Sequence, residues 1–191
     1  MKYILASNSP RRKELLRLVI PDYTCIAADI EETCPDDMPP EARPEHLALK
    51  KAKFVFAQNP DSLVIGADTA VFLGDTMLGK PTDEADAEKM LKALSGRTHK
   101  VITGCAIVSK EKEVSFSVVS EVTFYDLSNG EIKEYVKTKE PLDKAGAYGI
   151  QGKGALLVKE IKGDYFNIVG LPVAELKRRL PACGAETPKE Q

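Results

Sequence analysis

The sequence predicts a mixed α/β fold, in which helices flank a sheet, and three observations support this fold class. An apolar, β-branched run over 63–73 is typical of a buried central strand. The runs 101–109 and 114–125 flank a short charged turn and indicate a long antiparallel hairpin. Apolar residues at helical spacing over 83–94 indicate a helix before that hairpin. Strands that alternate with helices pack as a sheet covered by helices.

Local patterns near the N-terminus predict the first strand and two helices. Residues 2–7 are typical of a short strand. A helix is expected over 13–20, with Ser9 suited to the N-cap and Pro10 to the first helical position. A proline-rich acidic loop then leads into a helix over 45–58, which ends before an Asn-Pro pair.

The elements after the hairpin are predicted from capping and turn signals. Ser128 and Glu131 form a capping-box pattern that indicates a short helix. Beyond a glycine-rich stretch we expect two strands, over 155–161 and 165–169, and a helix after Pro172.

The length of 191 residues predicts one compact domain, and we expect it to cover residues 1–180 and to be bilobed. Residues 181–191 are mostly polar, and we expect them to form a C-terminal tail.

Composition argues against several classes of function. The formal net charge of -2 and the pI of about 5.8 give no general attraction for nucleic acid or an anionic membrane. No apolar run is long enough for a signal peptide or a membrane span, so we expect a cytoplasmic protein. The cysteines form no C-x-x-C pair and the two histidines lie far apart, which argues against a zinc site and a Ser-His-Asp hydrolase.

Two arginines at the start of the first predicted helix indicate an anion-binding site. Arg11 and Arg12 lie where the positive end of the helix dipole disfavours cations. A polyphosphate would compensate them, because the Ser9 hydroxyl and two guanidiniums converge there. The alternative is that the arginines face solvent or pair with Glu14, and composition alone favours it.

Asp68 stands out because it interrupts the most apolar predicted strand. A buried aspartate is rare unless it is paired, hydrogen-bonded or bound to a metal ion. Gly66 and Ala67 leave room beside it for a ligand or another backbone, and Thr69 offers a hydroxyl. An aspartate that accepts bonds from loop N–H groups at a strand end would explain the pattern equally well.

Three further charged residues are candidates for phosphate or metal binding. Lys80 lies near the end of a segment that resembles a P-loop. We reject the P-loop interpretation because Pro81 stands where Ser or Thr is required. Lys80 itself remains a candidate cation for binding phosphate. Glu32 belongs to an acidic pair that would join Asp68 around a magnesium ion, although such pairs are usually solvated. Lys51 lies on the apolar stripe of its helix and is expected to face inward, as a lysine that covers apolar surface also would.

The segment 143–152 combines small residues with one aromatic and one amide side chain. It would fold over a nucleotide base that Gln151 reads, or it would form a flexible turn, and periodicity does not decide between them. The candidate residues together supply cations, carboxylates and a glycine-rich loop, without a histidine base or a covalent nucleophile. This inventory suits metal-assisted attack of water on phosphorus.

Five separated motifs resemble those of the Maf family, in the same order and spacing from residue 2 to about 180. The motifs are Ala6-Ser7-x-Ser9-Pro10-Arg11-Arg12, Gly66-Ala67-Asp68-Thr69, Gly79-Lys80-Pro81, Leu94-Ser95-Gly96 and Asp143-Lys144-Ala145-Gly146-Ala147-Tyr148-Gly149-Ile150-Gln151-Gly152.

The resemblance implies a fold and a reaction. The fold is an elongated, mostly antiparallel sheet with flanking helices, and its two lobes surround a central cleft, as in the related inosine triphosphate pyrophosphatases. The implied reaction is hydrolysis between the α and β phosphates of a nucleoside triphosphate by a homodimer that uses Mg²⁺ or Mn²⁺. By the same resemblance, Asp68 is the general base. The residues implied to hold phosphates or metal are Ser9, Arg12, Glu32, Lys51 and Lys80, and we hypothesise that the metal is held by Asp68 and Glu32.

Three positions divide the members of this family by substrate. Arg11, Thr69 and Gln151 match the group that acts on dTTP and UTP, whereas the group that prefers 7-methyl-GTP carries Trp, Gln and Glu there. A glutamine amide offers both a donor and an acceptor to the imide edge of a pyrimidine. The alternative hypothesis is a non-catalytic nucleotide-binding protein that acts in cell division.

Overall fold

The structure is a computed structural model that describes residues 1–185 of the chain. Within this range it contains seven strands and six α-helices. The strands are β1 (Lys2–Leu5), β2 (Thr24–Cys25), β3 (Ser62–Leu73), β4 (Thr76–Leu78), β5 (Thr98–Val108), β6 (Glu113–Phe124) and β7 (Val158–Lys162). The helices are α1 (Pro10–Leu16), α2 (Arg43–Gln58), α3 (Glu84–Leu94), α4 (Asn129–Lys137), α5 (Tyr165–Val169) and α6 (Val173–Arg179).

The strands form one mixed sheet in the order β2-β1-β3-β5-β6-β7, and β4 pairs with β3 outside this order. Strand β1 runs parallel to β3, with Ile4 opposite Val64. Strand β4 returns antiparallel along the end of β3, with Leu78 opposite Val71. The predicted fold class, a mixed and mostly antiparallel sheet with flanking helices, is confirmed.

The described chain divides into two compact units. The first contains residues 1–68, 103–118 and 170 onward, and the second contains residues 69–102 and 119–169. The residues buried in one core cluster of the first unit are Ile4, Ala6, Ala48, Ala52, Val55, Val64, Ala106 and Val108. A smaller cluster in the second unit consists of Ala70, Phe72 and Ile102.

Helix α2 lies directly against the sheet of the first unit because two glycines remove side chains from its path. A Cβ atom on Gly66 would lie 2.2 Å from the carbonyl oxygen of Ala48, and one on Gly104 would lie 2.2 Å from the backbone nitrogen of Glu45. No real side chain fits at such distances. The space beside Gly66 is therefore filled by the backbone of α2. Of the two alternatives that the sequence left open, a ligand or another backbone segment, the structure shows the second.

Helix α5 replaces a strand that was predicted over 165–169, and that prediction was wrong. The Asp164 carboxylate accepts a hydrogen bond from the backbone N–H of Phe166 at 2.8 Å, as a helix cap does. Asn167 is buried and donates from Nδ2 to the carbonyl of Val101 at 3.0 Å and to Ser120 Oγ at 2.9 Å. These contacts fix the helical turn although its residues favour a strand.

Other boundaries differ by less. Helix α1 spans Pro10–Leu16 instead of 13–20, with Ser9 as the N-cap and Pro10 at the first helical position as predicted. The strand expected from residue 155 begins at Val158, after a 3₁₀ turn over Gly152–Leu157. A 3₁₀ turn over Leu180–Cys183 buries Cys183 inside the segment expected as a tail, of which residues 186–191 lie outside the described residues.

No helix in residues 1–185 combines the length and the apolar character that crossing a bilayer requires.

A buried histidine packs in the second unit against two aromatic rings. His99 is 2% exposed, and its Nε2 lies 2.8 Å from the Tyr148 hydroxyl. The His99 ring packs edge to face with those of Phe124 and Tyr148, at 5.0 and 5.3 Å between ring centres. Burial lowers the pKa of His99 to about 4 from 6.5, so the imidazole is neutral near pH 7.

We expect His99 to make the stability of the protein depend on pH. Because its pKa is lower in the folded chain than in the unfolded chain, the stability contribution is present above about pH 6.5 and is lost as the pH falls towards about 4. The loss should reach about 3 kcal/mol. Urea denaturation between these pH values should show a smaller loss of unfolding free energy for His99→Phe than for the wild type. His46→Gln, which changes the other histidine, should lose as much unfolding free energy as the wild type. A loss as large as that of the wild type in His99→Phe would contradict this account.

Candidate functional site

A lysine that bridges two carboxylates forms the centre of the candidate site, which lies in the first unit. The Lys51 ammonium lies 2.7 Å from Asp68 Oδ1 and 2.7 Å from Glu32 Oε1. The side chains of Lys51 and Asp68 are only 12% and 17% exposed, whereas that of Glu32 is 58% exposed. One cation therefore joins a buried carboxylate to a more accessible one.

The packing of α2 explains why Lys51 meets Asp68. Side chains alternate along a strand, so Asp68 points to the same side of β3 as Gly66. The close approach at Gly66 brings the Ala48 turn of α2 onto that side. Lys51 lies one helical turn after Ala48, beside Ala52, and therefore extends along the strand towards Asp68.

Helix α1 adds the guanidinium of Arg12 to this group. Arg12 Nε donates to the carbonyl of Gly170 at 2.9 Å, which holds the side chain in place. Its charge interacts with Asp68 and Glu32 and favours the ionised form of the Asp68 carboxyl. The structure thus brings four predicted site residues together: Arg12, Glu32, Lys51 and Asp68.

The other predicted residues of the first unit lie at the start of α1. Ser9 is the N-cap, and its hydroxyl accepts a hydrogen bond from the backbone N–H of Arg12 at 3.5 Å. The first turn of α1 contains no acidic residue. Burial lowers the pKa of Arg12, and the neighbouring charge of Arg11 acts in the same direction. A bound anion would reduce the repulsion between these two guanidiniums.

The environment of Asp68 makes it a stronger proton acceptor than an ordinary aspartate. Burial raises its pKa, and the nearby charges of Lys51 and Arg12 oppose that rise. A carboxylate whose pKa is raised in this way is a suitable general base.

Lys50 is a candidate positioning residue that sequence reasoning missed. Its ammonium donates to the carbonyl of Glu31 at 2.8 Å and to Thr33, at 3.3 Å to the carbonyl and 3.0 Å to Oγ1. These bonds hold the backbone on both sides of Glu32. In the sequence, Lys50 is one of several lysines on the same helix. Only Lys51 among them lies on the apolar stripe, so nothing distinguishes Lys50.

The remaining predicted residues belong to the second unit. Thr69 follows Asp68 along β3, and Lys80 is exposed just after β4. Gln151 is exposed and immediately precedes the 3₁₀ turn over Gly152–Leu157. The backbone N–H of Gly146 donates to the carbonyl of Gly79 at 3.0 Å. This bond joins the segment that carries Lys80 to the segment that carries Gln151.

The carboxylates of Asp68 and Glu32 form a donor set that suits a divalent cation. Both already contact one cationic nitrogen, and carboxylate oxygens are the ligands that Mg²⁺ prefers. Residues 1–185 contain no group of three or more His, Cys, Asp or Glu side chains arranged to hold a metal ion. Two protein carboxylates nevertheless fit Mg²⁺, because its other ligands in nucleotide sites are usually water and substrate phosphates.

Comparison with known proteins adds a family and a set of relatives. The family model described as Maf-like protein matches residues 2–183. A dTTP/UTP pyrophosphatase from Bacillus velezensis is 52% identical over 179 residues, which cover 94% of this chain and 95% of that protein. A dTTP/UTP pyrophosphatase from Bacillus cytotoxicus is also 52% identical, over 94% of both chains. These matches confirm the resemblance that the five motifs predicted.

A comparison of structures supports the fold alone. The chain is similar to a HAM1 protein from Coxiella burnetii, with a TM-score of 0.54 and 15% identity, over 95% of this chain and 99% of that chain.

We expect the Lys51→Met variant to lose about 2 kcal/mol of stability near pH 7, because Asp68 keeps a buried charge without its main partner. The loss should shrink near pH 5, since the pKa of Asp68 rises further in the variant and the carboxyl then takes up a proton. Denaturant unfolding at both pH values measures this effect.

Lys53→Met is the matched control, because Lys53 lies on the same helix and pairs with Glu113 at 2.7 Å on the exposed surface. It should cost less than about 1 kcal/mol at either pH. Equal losses in the two variants would show that the buried pair has no special role.

Proposed function

This chain belongs to the Maf family, and we propose that it hydrolyses dTTP and UTP to the corresponding monophosphate and pyrophosphate. The observation that carries the proposal is the largely buried Asp68 carboxylate, whose pKa is raised and which lies beside the cations of Lys51 and Arg12. Relatives that are 52% identical over nearly the whole chain and are named dTTP/UTP pyrophosphatase support the choice of substrate.

In the proposed reaction, Asp68 accepts the proton of the water that attacks phosphorus at the α–β anhydride. Arg12 and Lys51 offset the negative charge that develops on the phosphoryl oxygens, and Lys80 adds a third cation. The Ser9 hydroxyl and Arg11 contact the phosphates from the start of α1. Cleavage at this anhydride releases pyrophosphate and leaves the nucleoside monophosphate.

We assign Asp68 and Glu32 as the protein ligands of Mg²⁺ or Mn²⁺. When bound, such an ion would supply Lewis-acid stabilisation of the phosphoryl group. Lys51 keeps the two carboxylates together, and Lys50 holds the backbone that presents Glu32.

Substrate choice is assigned to Arg11, Thr69 and Gln151. The Gln151 side chain is exposed, so its amide is available to donate to and accept from the imide edge of a pyrimidine. We further propose that the protein acts in the cytoplasm as a homodimer, as the family resemblance implies.

The proposal is tested by incubating the protein with dTTP, UTP, CTP, GTP, ATP and 7-methyl-GTP in the presence of Mg²⁺ or Mn²⁺. The products are separated so that monophosphate with pyrophosphate is distinguished from diphosphate with orthophosphate. We expect monophosphate and pyrophosphate from dTTP and UTP. Nucleotide binding without any product, under both metals, would contradict an enzyme and favour the non-catalytic regulator.

We expect Asp68→Asn to lower kcat for dTTP by at least about 100-fold, because an amide cannot accept the proton of the attacking water. Binding of a non-hydrolysable α,β-imido nucleotide, measured by calorimetry, should remain detectable. Asp61→Asn is the control, since it makes the same exchange at an exposed position just before β3 and should leave turnover unchanged. A fully active Asp68→Asn variant would exclude Asp68 as the base.

A further inference from the structure

The Glu140 carboxylate collects three hydrogen bonds in the second unit, outside the residues assigned so far. Oε1 accepts from the Tyr135 hydroxyl at 3.0 Å and from the backbone N–H of Gly154 at 3.1 Å. Oε2 accepts from the backbone N–H of Lys153 at 3.1 Å. A single side chain thus holds the backbone just after Gln151.

Tyr135 extends this network to the backbone just before Gln151. Its hydroxyl accepts a hydrogen bond from the N–H of Gly149 at 3.2 Å while it donates to Glu140. Burial raises the pKa of Tyr135, so the hydroxyl keeps the proton that it donates. Tyr135 is 4% exposed and belongs to the core face of α4.

The backbone around Gln151 is shaped to lie on this pair. Gly152 has a φ of +66°, and a Cβ atom there would lie 2.9 Å from Glu140 Oε2. A Cβ atom on Gly154 would lie 2.7 Å from the Tyr135 hydroxyl. Ile150 is buried, whereas Gln151 is exposed. The loop is therefore fixed at both ends and offers one polar side chain to solvent.

The backbone before Glu140 is unusual in a way that fits this role. Lys139 has a φ of 62°, in the left-handed region that a residue with a side chain rarely adopts. The Lys144 ammonium donates to the carbonyl of Glu140 at 2.7 Å, which holds the turn from its other side. Strained residues of this kind persist where the surrounding contacts require them.

We propose that Tyr135 and Glu140 are a positioning pair for Gln151, and that their hydrogen bonds to residues 149, 153 and 154 determine how the protein selects its nucleotide base. The side-chain hydrogen bonds described for the pair go to residues 149, 153 and 154 and to each other, so we expect it to act on recognition of the base and not on the triphosphate. This inference rests on the proposed function, because it assigns Gln151 to the base.

The test compares a ligand that carries a nucleotide base with a ligand that lacks one. Calorimetry gives the Kd of the non-hydrolysable α,β-imido analogue of dTTP and the Kd of inorganic tripolyphosphate, for the wild type, Tyr135→Phe and Glu140→Gln. We expect each variant to bind the analogue about tenfold more weakly, because one or more hydrogen bonds to the loop are lost. The Kd of tripolyphosphate should stay within about twofold, because its binding residues are untouched.

Two control variants make the same exchanges elsewhere in the second unit. Tyr165→Phe and Glu160→Gln change exposed side chains and should leave both Kd values as in the wild type. Tyr135→Phe removes a single oxygen atom and keeps the test informative if Glu140→Gln does not fold. In the double variant, the fold-loss of affinity for the analogue should be smaller than the product of the fold-losses in the two single variants, since both residues belong to one hydrogen-bond network.

The outcomes separate this inference from the proposed function. If the variants bind both ligands more weakly by the same factor, or bind the analogue as tightly as the wild type does, the proposed positioning role is wrong. Absence of turnover by the wild type would overturn the proposed enzyme and would leave the comparison of Kd values intact, because that comparison requires only binding.

Discussion

The ion pair between Lys51 and Asp68 is the interaction on which the first unit depends. An ionised carboxylate on a buried strand costs several kcal/mol unless cations are held beside it. The cations come from two helices, so both must be fixed: Gly66 lets α2 lie against β3, and Gly170 holds Arg12. The packing that stabilises this unit is therefore also the packing that places two cations beside Asp68.

Much of the candidate site could be predicted because its residues break local rules. Asp68 interrupts an apolar strand, and Arg11 and Arg12 carry positive charge where the helix dipole opposes it. A conflict between local preference and observed residue is a signal that needs no knowledge of the fold. Lys51 gives a weaker signal, its place on the apolar stripe of α2, which predicts that its side chain faces inward; the contact with Asp68 confirms that orientation.

The elements and residues that escaped prediction depend on contacts between distant parts of the chain. Helix α5 has the composition of a strand, and its conformation is fixed by bonds from Asn167 to Val101 and Ser120. Lys50 and Glu140 look like ordinary surface charges in the sequence, because most of their partners are backbone groups of loops. Such backbone partners carry no residue-type signal, so only the folded chain reveals them.

Asp68 and Glu140 show how the surroundings of a carboxylate decide its role. Asp68 is largely buried beside two cations, and burial raises its pKa, which suits the proton-accepting role proposed for it. Glu140 instead accepts bonds from one hydroxyl and two backbone N–H groups, so its oxygens are already engaged in holding a loop. The surroundings of Asp68 thus suit proton transfer, whereas those of Glu140 suit holding a loop in place. Environments that differ in this way separate reactive from structural carboxylates within one protein.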